Sequence, residues 1–120
     1  MILLFSGGNM INEYNYEVLN RDELERNFKL MKDNNMEVRE KIILHNIKLV
    51  FYRYYKRFSN TYMNMEDIIA YGMIGLIKAV DTFKIDRECT FTTYASKCID
   101  NEILMYIRRE SYRYVYLDDT

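Results

Sequence analysis

Ile43, Ile47, Val50, Tyr54 and Phe58 recur at intervals of 4, 3, 4 and 4 residues, which sets one large apolar side chain on the same face of each successive helical turn. A strand, with its period of two, cannot use that spacing. The 120-residue chain has no proline and only four glycines, so the tight turns that sheets and hairpins require have little to be built from. An all-α fold is expected. A chain of this length can bury roughly two thirds of its unfolded surface in one core without disulfides or metals.

The flanking segments divide into further helices. Asn20 followed by Glu23 forms a capping-box pattern opening a helix over 20–32, with Leu24, Phe28 and Met31 as its apolar stripe. After Asp33-Asn34-Asn35 the strongest period marks a second helix over 36–58, which Ser59-Asn60-Thr61 ends. Asn64 is positioned to cap a third helix reaching 83, its inner face being Ile69, Gly72, Leu76, Ala79 and Phe83. Gly72 and Gly75 lie inside that helix, where each costs roughly 1 kcal/mol relative to alanine. Close approach of another helix is the expected reason. Thr92 or Thr93 can cap a fourth helix to about 110. The resulting division is a loosely ordered arm over 1–19, a compact multi-helix domain over 20–111, and a linker or tail over 112–120, where Tyr112 to Tyr116 alternate like a strand without a partner.

The fourth helix has two unlike faces. Ala95, Ile99, Ile103 and Tyr106 should pack inward, while Tyr94, Lys97, Asn101, Leu104 and Arg108, spaced 3, 4, 3 and 4, fall on the opposite side. A ridge of that composition can stack on bases, hydrogen-bond their edges and hold phosphates; an ordinary solvated face has the same look. The net charge is −1, yet residues 41–65 carry Lys41, Lys48, Arg53, Lys56 and Arg57 with no acid. Chemistry of other kinds finds no support. No glycine-rich phosphate loop is present, His45 is the single histidine, and Cys89 and Cys98 lack metal-ligand spacing. No catalytic residue, metal or cofactor is therefore assigned, and the acids Glu66 and Asp67 read as helix-start charges. No apolar run approaches a membrane span and no leader pattern opens the chain. A cytoplasmic protein without membrane contact is expected.

Several stretches together resemble a known family. They are Asn46-Ile47-Lys48-Leu49-Val50, Glu66-Asp67-Ile68-Ile69, Gly72-Met73-Ile74-Gly75-Leu76-Ile77-Lys78-Ala79-Val80-Asp81, Phe91-Thr92-Thr93-Tyr94-Ala95 and Cys98-Ile99-Asp100-Asn101-Glu102-Ile103-Leu104. In order and spacing they are similar to conserved region 2 of the sigma-70-type factors of bacterial RNA polymerase, most of all to the mother-cell sporulation factors. The resemblance covers about residues 22–110.

What the resemblance implies is an initiation module that binds core RNA polymerase and recognises and melts the minus-ten promoter element. The helix carrying Glu66, Asp67, Ile68, Gly72, Met73 and Ile77 corresponds to the docking surface for the coiled coil of the largest polymerase subunit. Phe91, Thr93 and Tyr94 match positions that handle the exposed non-template strand, and Asn101 with Leu104 match positions at the upstream edge of the element. Lys97 and Arg108 complete the DNA-binding set, and an anti-sigma regulator is a further partner. The chain departs from the family pattern in three places. Lys97-Cys98 stand where housekeeping members have two tryptophans, Glu88 and Thr90 where a basic loop is usual, and the downstream promoter-reading domains do not follow. Two rival readings are a truncated competitor for core polymerase without productive melting and a polymerase-independent helical DNA binder. By the resemblance the arm over 1–19 corresponds to the pro-segment of the sporulation factors, while its residues favour a plain unstructured terminus.

Overall fold

The computed structural model describes residues 19–31, 35–85 and 89–118, with side chains through residue 113. The expectations for the N-terminal arm before residue 19 and for Glu88 lie outside them. Five α-helices make up the described chain: α1 (Arg21–Met31), α2 (Met36–His45), α3 (Ile47–Arg53), α4 (Met65–Thr82) and α5 (Phe91–Asp118), with a π-helical turn, Tyr54–Phe58, continuing α3. No strand occurs among the described residues. The fold class is the one the sequence implies.

Caps set most of the starts. Asn20 Oδ1 accepts the Glu23 amide at 2.9 Å, the cap expected for α1, while its side-chain Nδ2 donates to Glu23 Oε1 at 3.1 Å in place of the backbone amide of a capping box. Asn35 and Asn64 cap α2 and α4 through the amides of Val38 and Glu66. α5 starts two or three residues earlier than predicted. Its cap is Thr90, whose Oγ1 accepts the Thr93 amide at 3.2 Å, and neither Thr92 nor Thr93 fills that role.

The helix predicted over 36–58 is not continuous. Asn46 is buried at the break, and its Nδ2 donates to the Ile42 carbonyl at 2.7 Å while its backbone amide turns to Ile43. A short amide side chain that competes for the carbonyl four residues back is what interrupts an otherwise regular ladder. Ile43, Ile47, Val50, Tyr54 and Phe58 nevertheless all remain buried across the break and the π-turn. α5 also continues past its predicted end near 110, through Asp118, and residues 112–116 are helical. Extending an existing helix costs no new nucleus, and neither glycine nor proline intervenes to stop it.

α4 and α5 form the centre of the domain, and their contact depends on missing side chains. A Cβ at Gly75 would lie 2.6 Å from the Cys98 carbonyl oxygen and 2.7 Å from Ile99 Cα, so the two backbones touch there. At Gly72 it would meet Val50 Cγ1 at 2.6 Å and Ile103 Cδ1 at 3.3 Å, side chains of α3 and α5. Ala95, Ile99, Ile103 and Tyr106 face this centre, as their spacing predicts. Where α1, the end of α4 and the start of α5 converge, the rings of Phe28, Phe83 and Phe91 pack with centroids 5.1 to 5.3 Å apart.

Candidate nucleic-acid interface and docking face

The predicted ridge of α5 exists as a surface. Thr93, Lys97, Asn101 and Arg108 are exposed, and Tyr94 and Leu104 are half-buried along it. Tyr94 is fixed at both ends: its ring packs against Phe83 at 5.6 Å, and its hydroxyl lies 2.6 Å from Thr82 Oγ1. Thr82 spends its one hydroxyl hydrogen on the Lys78 carbonyl, so Tyr94 is the donor. Phe91 is not part of the ridge. It is 3% exposed inside the Phe28 and Phe83 cluster, where it holds the first turn of α5 against α1. A cleft beside it is lined by Arg21, Leu24, Glu25, Phe28, Phe83 and Thr90.

Both flanks of the ridge are pinned by ion pairs. On one side Lys78 of α4 pairs with Glu102. On the other, Asp100, with a side chain only 9% exposed, accepts Arg53 Nε at 3.0 Å and Nη2 at 2.5 Å, and Arg57 Nη1 at 2.9 Å. Those hydrogen bonds push the Arg53 guanidinium still further above its ordinary value against the opposing cost of burial. The basic block of residues 41–65 thus divides by what its side chains touch: Arg53 and Arg57 turn to α5, while Lys56 lies 5.4 Å from the Tyr52 ring on the outside.

The predicted docking residues occupy two faces of α4. Glu66 and Asp67 are exposed and Ile77 is half-buried, whereas Ile68, Gly72 and Met73 are buried at 5% exposure or less or, for Gly72, against Val50. The outer face instead presents Ile74, 42% exposed, among Glu66, Asp67, Lys78 and Asp81. Ile74 lies eight residues after Glu66 and seven after Asp67, the spacing that places all three on one stripe. That periodicity was available in the sequence as a signal. Asp67 is also tied to the core: it accepts the Tyr106 hydroxyl at 3.3 Å, and Tyr106 stacks on Tyr71 at 4.4 Å with Arg109 above. Burial, then the neighbouring Asp67 carboxylate, pushes the Tyr106 phenol above its usual value. Among the described residues, no three His, Cys, Asp or Glu side chains gather as a metal site requires, and no helix is long and apolar enough to cross a membrane.

With this geometry in place, comparison with known proteins is decisive. The Sigma-70 region 2 family matches residues 42–113, from α2 into the latter half of α5. The chain belongs to that family. An RNA polymerase sigma-E factor of Clostridium acetobutylicum is 42% identical over 93 residues, covering 78% of this chain and 39% of the relative. An RNA polymerase sigma-28 factor of Bacillus thuringiensis subsp. kurstaki is 39% identical over 90 residues, covering 75% and 38%. A putative RNA polymerase sigma-G factor of the same organism is 34% identical over 91 residues, covering 76% of this chain and 72% of that relative. Sporulation factors are prominent among these relatives, as the sequence resemblance implies. The chain spans about two fifths of the length of the first two relatives.

Proposed function

We propose that the domain attaches to core RNA polymerase through the outer face of α4 and uses the α5 ridge to recognise and open the minus-ten element of a promoter. The observation that carries this reading is the ridge itself, in a chain of the region 2 family: Thr93, Tyr94, Lys97, Asn101 and Arg108 lie along one side of α5, with no acid among them. Tyr94 supplies the stacking face, Asn101 the amide for base edges, and Lys97 and Arg108 the charge for phosphates. Unpairing a base costs a few kcal/mol, which one aromatic platform worth about 1 to 3 kcal/mol per base does not offset alone. Polymerase binding supplies the remainder. On α4, Glu66, Asp67, Ile74 and Ile77 form the docking set, and Ile68, Gly72 and Met73 act by holding that helix in place.

The test is to combine the chain with purified core polymerase, measure co-elution, and then follow permanganate reactivity of promoter thymines on a fragment carrying a minus-ten element. Co-elution with reactive thymines is the expected result. Co-elution without opening would favour a competitor for polymerase, and tight sequence-specific duplex binding by the free chain would favour an independent DNA binder.

A further inference from the structure

Arg57 differs from the other cations of its block in how it is held. Its Nη1 donates to Asp100, its guanidinium lies 5.5 Å from the Phe58 ring, and its side chain remains 50% exposed. Asp100 comes three residues after Lys97 and four before Leu104, so it borders the ridge on the helix surface and sits between that ridge and the buried stripe of Ile99 and Ile103. Arg53 fills the inner side of the same carboxylate with two hydrogen bonds and is 18% exposed. Two arginines therefore share one carboxylate. The inner one is largely buried against it, and the outer one, half exposed, carries a net positive charge to the solvent side.

Resting on the proposed promoter-binding role, we infer that Arg57 is a phosphate-binding residue of the DNA surface, held in position by Asp100, and that the interface extends from α5 onto the π-helical turn Tyr54–Phe58. The partner group is the promoter sugar-phosphate backbone. A fixed guanidinium loses less rotamer freedom on binding a phosphate than a free lysine does, and a planar fork that gives one nitrogen to Asp100 still has donors to direct elsewhere. The buried Asp100 does not repel that backbone, because its charge is covered by Arg53 on one side and Arg57 on the other. The π-turn matters here because it keeps Tyr54 and Phe58 buried while Arg53 and Arg57 both reach α5. Such turns occur frequently at functional positions.

The decisive measurement is the salt dependence of promoter binding by the full chain bound to core polymerase, read by anisotropy of a labelled promoter fragment between about 50 and 200 mM salt. Arg57→Gln should weaken binding by a similar factor on different promoter sequences and lower the slope of log affinity against log salt by about one. Arg57→Lys should retain the slope and lose part of the affinity. Arg53→Gln is the structural control: it should lower the melting temperature more than Arg57→Gln does and leave the slope unchanged. An unchanged slope for a folded Arg57→Gln protein would overturn the assignment, as would weaker polymerase binding with intact DNA binding, which would place Arg57 on a protein contact. If the parent complex does not bind promoter DNA at all, the proposed function fails, and with it this extension.

Discussion

α4 and α5 lie backbone against backbone at Gly75, yet their outer faces differ in chemistry. α4 turns outward Glu66, Asp67 and Asp81, with Lys78, around Ile74, whereas α5 turns outward Thr93, Lys97, Asn101 and Arg108. The inner faces answer to packing, which admits little choice, while the outer faces are free to diverge toward partners of different charge. The comparison is first broken at the shared contact. Gly75→Ala places its methyl against the α5 backbone, which cannot rotate aside, whereas Gly72→Ala meets the Val50 side chain. Overpacking of this kind costs typically 1 to 3 kcal/mol, and Gly75→Ala should reach or exceed about 3 while Gly72→Ala stays lower in that range. Thermal unfolding of both variants checks the order, and the reverse order would mean that α5 can slide on α4.

The next largest effect concerns how α5 is oriented. Asp100→Asn leaves Arg53 beside a neutral amide in a site where the acid was 9% exposed. Breaking a fully buried pair costs about 3 to 5 kcal/mol, and the partial exposure of both arginines should reduce this to about 2 or 3. Denaturant unfolding measures it. A loss below about 0.5 kcal/mol, the scale of a surface pair, would show that α5 is held by its apolar stripe alone.

On the ridge, Tyr94→Ala should reduce promoter opening by a stacking term of about 1 to 3 kcal/mol, with polymerase attachment retained. The ring also packs on Phe83, so a control is needed. Tyr94→Phe keeps the ring and removes only the donor to Thr82. Normal opening by a folded Tyr94→Ala protein, scored by permanganate reactivity, would end the assignment of this side chain to the displaced strand.

Much of this arrangement is legible before any coordinates. The stripe from Ile43 to Phe58, the inward set of α5, the Asn20 and Asn64 caps and the helix contact at Gly72 and Gly75 all follow from local spacing. What spacing cannot supply is competition between interactions. Asn46 breaks the second helix because its side chain takes a carbonyl that the ladder would otherwise use. Phe91 precedes the ridge in sequence but is drawn into a cluster with Phe83 and with Phe28, which is distant along the chain. Ile68 and Met73 share the proposed docking helix with Glu66 but face inward, a distinction that depends on which side α3 and α5 cover. The pairing of Asp100 with Arg53 and Arg57 spans more than forty residues and leaves no trace in local periodicity.

A smaller effect separates the charge of Asp67 from its hydrogen bond. Asp67→Arg would reverse a charge on the proposed docking face and also remove the acceptor for the Tyr106 hydroxyl, so it perturbs fold and binding together. Asp67→Asn keeps an acceptor oxygen and removes only the charge. Its stability should fall by only a few tenths of a kcal/mol, the share of a helix-start charge, and its affinity for core polymerase should fall by about 0.2 to 1 kcal/mol, the range for an exposed charge. Equal polymerase affinity for Asp67→Asn would remove this acid from the docking face.

The smallest effect sets an exposed ion pair against the buried one at Asp100. Asp81, near the end of α4, accepts Arg39 Nε at 2.7 Å and Nη2 at 3.0 Å, linking α2 to α4. The Arg39 hydrogen bonds hold the Asp81 carboxyl below its ordinary value, with burial acting in the opposite direction. A carboxyl lowered by folding contributes stability above its unfolded value, near 3.9, and that contribution is lost as pH falls below about 4 and through the lower folded value. The side chain is 43% exposed, so solvent and salt screening keep the effect small. The melting temperatures of parent and Asp81→Asn should therefore differ slightly at pH 7 and converge as the pH falls below about 4. Arg39→Gln should reproduce that convergence, and the double variant should be no less stable than either single one, because each removes the same pair. A difference that persists unchanged at low pH would mean that Asp81 acts through its shape rather than through its charge.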